Sequence, residues 1–343
     1  MKARLVALAL LLVTGGPTAA AAGSDADRAQ AADAAARHVR AFSGAVLVAH
    51  DGRVALLRGY GGTHPGALFD IGSVAKTFTA AAVLRLEQDG RLRLDDPISR
   101  YLPHVPARRR RVTIRQLLTH TGGFPQSFDS DLERVGRAEA IRRILRAPGP
   151  PAGRFAYSNA GYTLLAAIVQ RASGMPFRRF VRTRLLLPAG MRSTGWLDSP
   201  RPGLERARGH AGGRGRGPAG SQVPLSWSIL GAGGMLSTAR DLFRWSVALR
   251  GNRVLSARER AEYRRGYVDL PGAKGARVGY GWIVGTTRRG TRVVLVGGET
   301  DYGFTADLRR FVDERTTIVT LSDTARAPAG AVAARIEQAY FGS

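Results

Sequence analysis

Apolar residues recur along this chain with two different periods, and the switches between them outline the fold. Residues 25–40 are Ala-rich with a helical repeat. Residues 43–50 and 53–59 read as β-strands, joined by Asp51-Gly52, the kind of pair a two-residue hairpin turn favours. A strongly apolar helix over residues 73–88 stops at Asp89-Gly90, and residues 94–97 turn the chain into a short helical piece. From 103 to 224 the pattern is helical segments between Pro/Gly loops, with helices predicted at 114–120, 132–146, 159–173 and 177–187. The Gly/Arg-rich stretch 201–221 has almost no apolar residues and reads as a mobile surface loop. A Gly-rich turn at 231–235 lacks the Lys-Ser/Thr and the preceding strand of a phosphate loop. After it a helix opens at 237–241 and runs to about residue 250. Strand-like runs then take over at 280–287, 292–297, 303–311 and 316–322, in series, as in an antiparallel meander. Residues 331–340 close as an amphipathic helix with Val332, Ile336 and Tyr340 on one face.

This order predicts an α/β (α+β) fold. The N-terminal hairpin and the C-terminal strands form one antiparallel sheet flanked by helices, drawn from about residues 30–102 and 225–343. An all-α lobe from about 103 to 224 is inserted between them, and a cleft between the lobes is the expected substrate site. Residues 23–343 are expected to form one catalytic domain.

Composition narrows the function classes. The formal charge is +26, nearly all of it from arginines scattered through every segment, with one run at 108–111. No basic helix interleaved with aromatics and no zinc spacing is present, so a nucleic-acid partner is not expected. An anionic cell-envelope surface stays a candidate partner. The chain has no cysteine, which excludes disulfides, thiolate-bound metals and a lipid-anchored cysteine. No His/Asp/Glu cluster has metal spacing, so neither metal nor cofactor is expected. Residues 1–22 read as a secretory signal: Lys2 and Arg4, an apolar core over 5–13 too short to span a bilayer, then Ala20-Ala21-Ala22 as a cleavage site. The expected location is periplasmic or secreted, with no membrane span.

Candidate chemistry begins at Ser73-Val74-Ala75-Lys76. Positions i and i+3 share a helix face, so the hydroxyl and the amine can touch, which gives a weak nucleophile an adjacent base. Backbone N–H groups at the helix start lie where an oxyanion would form. There are only three lysines among 52 Lys and Arg residues, and an Arg cannot release its proton as a Lys can. The competing reading is an ordinary helix start with a surface lysine. A second piece is Tyr157-Ser158-Asn159, just ahead of a helical run. The phenol could relay a proton and the amide could hold Lys76 or a substrate carbonyl. Equally, Asn159 could be an N-cap and Tyr157 a packed ring.

Taken together, Ser73-Val-Ala-Lys76 and Tyr157-Ser-Asn159 resemble the serine β-lactamase-like and penicillin-binding family. The branch resembled is that of class C β-lactamases, DD-peptidases, D-amino-acid peptidases and esterases. The segments 94–103, 116–123, 188–191 and 233–242 share the resemblance, which covers about residues 35–340. It implies a β-lactamase/transpeptidase-like fold. It also implies Ser73 as nucleophile, Lys76 and Tyr157 sharing general base and acid work, and Asn159 positioning the amine or substrate. The Ser73 N–H would form half of an oxyanion hole, with the other half on the strand near Glu299 or Thr300, and Gly298 beside them as a further substrate-binding residue.

One departure matters. The family carries Lys-Thr-Gly or His-x-Gly on a strand shortly before a Gly-aromatic pair. Gly303-Phe304 matches the pair, but the cationic position falls on Val296 or Gly297, and the last histidine is His210. Lys274 lies in a Gly-rich turn and is a poor substitute. Without the cation that faces a substrate carboxylate, neutral esters or amides are favoured over β-lactams, and a weakly active or non-catalytic ligand-binding relative is the alternative. Glu299 and Asp301 would make this wall acidic, or are simply solvated turn residues. His120 is read as structural, satisfying backbone groups in the turn 119–123. The expectation is an exported serine hydrolase acting on a small-molecule or peptide ester or amide.

Overall fold

The computed structural model describes residues 24–128, 133–199, 203–211, 214–218 and 225–342. The predicted signal segment therefore lies outside the described residues. The first helix, α1 (Asp25–Arg37), starts on a capping box between Ser24 and Asp27. Next come β1 (Gly44–His50) and β2 (Arg53–Tyr60), and Asp51 and Gly52 between them both have positive φ, as a tight hairpin turn requires. A short β3 (Phe69–Asp70) leads through a 3-10 turn, Gly72–Val74, into α2 (Ala75–Gln88). The inserted lobe carries α3 (Ile114–Leu118), α4 (Arg137–Arg146), α5 (Asn159–Ser173) and α6 (Phe177–Val181), which continues into a π-turn, Arg182–Leu186.

Short strands follow: β4 (Gly195–Trp196), β5 (Arg208–Ala211), β6 (Arg214–Pro218) and β7 (Met235–Ser237). Two helices, α7 (Ala239–Ala248) and α8 (Ala257–Tyr263), precede β8 (Val268–Asp269), β9 (Arg277–Val278) and β10 (Ile283–Thr286). The chain ends with β11 (Arg292–Glu299), β12 (Thr305–Phe311), β13 (Thr316–Ser322) and α9 (Ala329–Phe341).

Eight strands form one antiparallel sheet in the order β2-β1-β13-β12-β11-β10-β9-β8, so the N-terminal hairpin completes the C-terminal meander. Both faces are covered, which explains the unbroken apolar run of β1. Ala45, Leu47 and Ala49 join the large core under α2 and the helical lobe, whereas Val46 and Val48 join a second core with α1 and α9. Helix α2 is buried on almost every side, from Ala75 to Leu84. Phe78 packs on Trp245 at 4.7 Å between ring centres, and the Tyr263 hydroxyl donates to the Thr77 carbonyl. A helix enclosed in this way holds the turn at its head in a fixed place.

Two expectations need revision. Ser73 lies in the 3-10 turn before α2 and not in the first turn of the α-helix itself. Within the stretch expected to be a mobile loop, Arg208–Ala211 and Arg214–Pro218 pair as a two-stranded ribbon. Backbone pairing leaves no apolar signature, and Gly209 is buried against Phe304, where a Cβ would meet the ring at 2.6 Å. The short strands β8 and β9 also have no strand-like pattern to announce them.

The sheet meets the head of α2 through glycines. A Cβ on Gly298 would stand 2.0 Å from the Ile71 carbonyl oxygen and 2.9 Å from the Ser73 nitrogen. We therefore expect Gly298→Ala to force β11 off this turn, at about 1–3 kcal/mol in urea unfolding, with a larger fractional loss of Ser73 reactivity. Gly285→Ala, where the nearest atom is 3.9 Å away, should change stability little by the same measurement.

Candidate active site

The site is built where β3, the head of α2, the start of α5 and the end of β11 converge. The Ser73 Oγ lies 2.7 Å from the Tyr157 hydroxyl. The Lys76 Nζ donates to Ser73 Oγ at 2.8 Å and to the Ala232 carbonyl at 2.9 Å. Lys76 is only 2% exposed, and its amine lies over the Tyr157 ring, 4.9 Å from the centroid. The i, i+3 spacing survives the 3-10 start because both turns keep the two side chains on one face. Since Lys76 donates to Ser73 Oγ, the serine proton is free to point at the Tyr157 oxygen.

The turn carrying Ser73 is tied down from both sides. Asp70, buried, accepts from the Gly72 N–H at 2.9 Å and from the Tyr302 hydroxyl. The Gly-rich turn 231–235 supplies the Ala232 carbonyl for Lys76 and the Gly231 carbonyl for the Thr79 hydroxyl, at 2.7 Å. Gly231 has φ +91° and a Cβ there would stand 2.6 Å from the Tyr162 carbonyl oxygen. The turn is no phosphate loop; its service to Lys76 is invisible in the sequence, because a backbone carbonyl leaves no signature in residue type.

Of Tyr157-Ser158-Asn159, the middle residue is the N-cap: Ser158 Oγ accepts from the Gly161 N–H at 2.9 Å. Asn159 is the first helical residue, and its N–H donates to the Gln126 carbonyl at 2.8 Å. Its Oδ1 is buried with no hydrogen-bond partner among the described residues, so it is not bonded to Lys76. A buried acceptor without a partner is unusual.

His120 is structural, as expected, but with different partners. Its Nδ1 accepts from the Ser158 N–H at 3.1 Å, and the ring stacks on Tyr157 at 4.7 Å and on Tyr162 at 5.0 Å. It therefore positions Tyr157. Burial, and secondarily the nearby Lys76, pull its pKa from 6.5 to about 3, so the imidazole is neutral at physiological pH.

Above Ser73 opens a cavity of about 140 Å³, walled by Phe155, Leu270, Val278, Trp282 and Val296. Lys76 is the one cation among the lining residues. The position where a cation was sought is thus occupied by Val296 on the cleft-facing side of β11, and Lys274 is exposed and outside this lining. The three strand residues expected beside Ser73 are separated by the structure. Gly298 packs directly on the Ser73 turn. The Thr300 N–H donates to the Phe304 carbonyl at 2.9 Å and is taken. Alternation in an antiparallel pair then turns the Glu299 N–H to the opposite edge, towards Gly72 and Ser73. The side chains of Glu299 and Asp301 are on exposed residues.

Known proteins resemble the chain over most of its length. Residues 29–341 match the family described as Beta-lactamase. The chain is 30% identical over 312 residues to penicillin-binding protein 4* of Bacillus subtilis (strain 168), covering 82% of this chain and 68% of that protein. It is 27% identical over 283 residues to the D-alanyl-D-alanine-carboxypeptidase/endopeptidase AmpH of Escherichia coli (strain K12), covering 72% of this chain and 71% of that protein. Among solved structures, it is similar to the D-amino acid amidase of Ochrobactrum anthropi SV3 complexed with D-phenylalanine. That pair has a TM-score of 0.78 and 25% identity, with 92% of this chain and 100% of the other covered.

The buried histidine generates a pH prediction. Between pH 6.5 and about 3 the unfolded chain binds a proton at His120 that the folded chain does not, so this residue makes stability fall as pH falls through that window. His120 also has φ +58°, a conformation Asn tolerates, and an Asn carbonyl can still accept from Ser158. His120→Asn should therefore lose less stability than wild type between pH 6 and 4 in urea unfolding, relative to each protein's own value at pH 7.

Proposed function

The chain belongs to the beta-lactamase family, and from that premise we propose that it is an exported serine hydrolase cleaving a neutral ester or amide through an acyl-enzyme on Ser73. Esters and D-amino-acid amides or peptides are the substrates favoured over β-lactams. The observation that carries this reading is the contact of Ser73 Oγ with both Tyr157 and Lys76, at 2.7 and 2.8 Å, at the floor of an apolar cavity.

In this mechanism Ser73 Oγ attacks the substrate carbonyl carbon as its proton passes to the Tyr157–Lys76 pair. The negative charge that develops on the carbonyl oxygen is met by the N–H groups of Ser73 and Glu299. The proton is then delivered to the leaving oxygen or nitrogen as the scissile bond breaks, leaving an acyl ester on Ser73. Water then attacks the acyl carbon as it gives a proton to the same pair, and the pair returns that proton to Ser73 Oγ as its bond to the acyl group breaks and the product acid leaves. Asn159 is the residue proposed to position the substrate, its unpartnered Oδ1 being an acceptor for an N–H donor such as the amide or α-amino group of a D-amino-acid derivative. Export is supported by the charged start, short apolar core and small-residue site of residues 1–22.

Val296 sets the preference for uncharged substrates. An apolar side chain here offers no partner for a carboxylate, and the walls around it would leave that carboxylate desolvated. The same residue is what favours the second reading, a relative that binds an envelope component without turning it over.

Two outcomes test the proposal. Hydrolysis of p-nitrophenyl butyrate and of D-phenylalanine amide should exceed that of benzylpenicillin, and should fall about 10⁴-fold or more in Ser73→Ala and about 10²- to 10⁴-fold in Tyr157→Phe. No hydrolysis above the Ser73→Ala level for any of them would leave the binding reading. In addition, Val296→His should shift kcat/KM about tenfold or more towards a peptide with a free C-terminal carboxylate and away from its methyl ester.

A further inference from the structure

At the far end of the sheet from Ser73 lies a second cavity, of about 270 Å³, lined by Arg250, Arg264, Arg310, Arg315, Phe311 and Thr316. Arg310 stands on β12 between Val294 and Thr317, facing the side covered by α7 and α8, and is only 6% exposed. Among the described residues, no hydrogen-bond acceptor and no carboxylate pairs with its guanidinium, although its donors open onto the cavity. The Nε of Arg264 beside it is buried without a partner. Arg250 donates to the Arg315 carbonyl, which draws those two residues together.

Nearby carboxylates are already engaged elsewhere. Asp51 is paired with Arg315, Glu314 with Arg289, and Asp313 accepts from the Arg292 N–H. The cavity is therefore walled by four guanidinium groups against one shared carboxylate. An unpaired charge in such a place is destabilising, and like charges add to it. The strain shows in the arginines themselves: burial, then Arg264 and Arg250, draw Arg310 down to about 9, and burial first of all lowers Arg250 and Arg264 too. A buried guanidinium with open donors is the geometry that recognises oxyanions in a forked fashion.

We propose that this cavity is an anion site that holds a tetrahedral, multiply charged oxyanion, a phosphate or a phosphate ester, on Arg310 with Arg250, Arg264 and Arg315 around it. The site is separate from the acyl-transfer site and does not depend on it. It turns a diffuse positive surface into one defined point of attachment for a phosphate-bearing ligand.

The test is thermal unfolding of the full chain with inorganic phosphate or glycerol 3-phosphate, at ionic strength held constant with sodium chloride. A ligand of the folded state raises Tm in a saturable way. We expect such a rise in wild type, with half-saturation weakened about tenfold or more in Arg310→Met and esterase activity unchanged. A stronger response to inorganic phosphate assigns the site to the free ion, and a stronger response to glycerol 3-phosphate assigns it to the esterified group. No saturable rise in wild type, or an equal rise in Arg310→Met, overturns the proposal. Should Arg310→Met fail to fold, Arg250→Met and Arg315→Met, at exposed residues, carry the same comparison.

Discussion

The structure turns on one buried amine. Lys76 is almost wholly removed from water, so its donors need partners inside the protein, and two of them are Ser73 Oγ and the Ala232 carbonyl. Meeting that demand fixes three separate parts of the chain. Helix α2 must be enclosed, so that its head cannot drift. The Gly-rich turn before β7 must come close enough to present a carbonyl, which only a residue without a side chain allows at Gly231. Tyr157 must close the remaining side of Ser73, and it is held by the Ser158 cap and the ring of His120. The contacts that satisfy the amine are the same ones through which the proposed mechanism activates the serine hydroxyl.

Much of this is legible in the amino-acid sequence. The hairpin, the α2 and α5 helices and the four-strand meander are strongly patterned, and the structure has each within a few residues of its expected place. Ser73 and Lys76 stand out because a scarce lysine in an arginine-rich chain points to chemistry, whereas Tyr157 is singled out only by the family resemblance. What stays hidden is carried by backbone or by alternation. The carbonyls of Ala232 and Gly231, the orientation of the Glu299 N–H and the ribbon at β5 and β6 involve no distinctive side chain. The cap at the start of α5 falls on Ser158 and not on Asn159, since both are good caps and only geometry chooses between them. The missing cation is visible in the sequence, at Val296 or Gly297, without a choice between them. That Val296 also completes an apolar wall with Trp282 and Phe155 requires three distant segments to come together.

The two cavities of the large sheet offer opposite electrostatic environments. Beside Ser73, residues of β10 and β11 line a cavity with a single amine and apolar walls. Towards the far end of β12, about 17 Å from Thr305 by the rise of an extended strand, Arg310 faces a cavity crowded with guanidinium groups. The net charge of +26 therefore has little to do with the acyl-transfer site. It comes from arginines in excess of the available carboxylates, and the far cavity gathers four of them against one shared carboxylate.

The most direct measurement of the central claim is the intact mass of the folded protein after exposure to a fluorophosphonate, beside Ser73→Ala. A reactive Ser73 held by Tyr157 and Lys76 predicts one adduct per chain in wild type and none in the variant. Folded wild type that stays unmodified from pH 6 to 10 would contradict the account, because the Lys76–Tyr157 pair would then not activate the serine it touches.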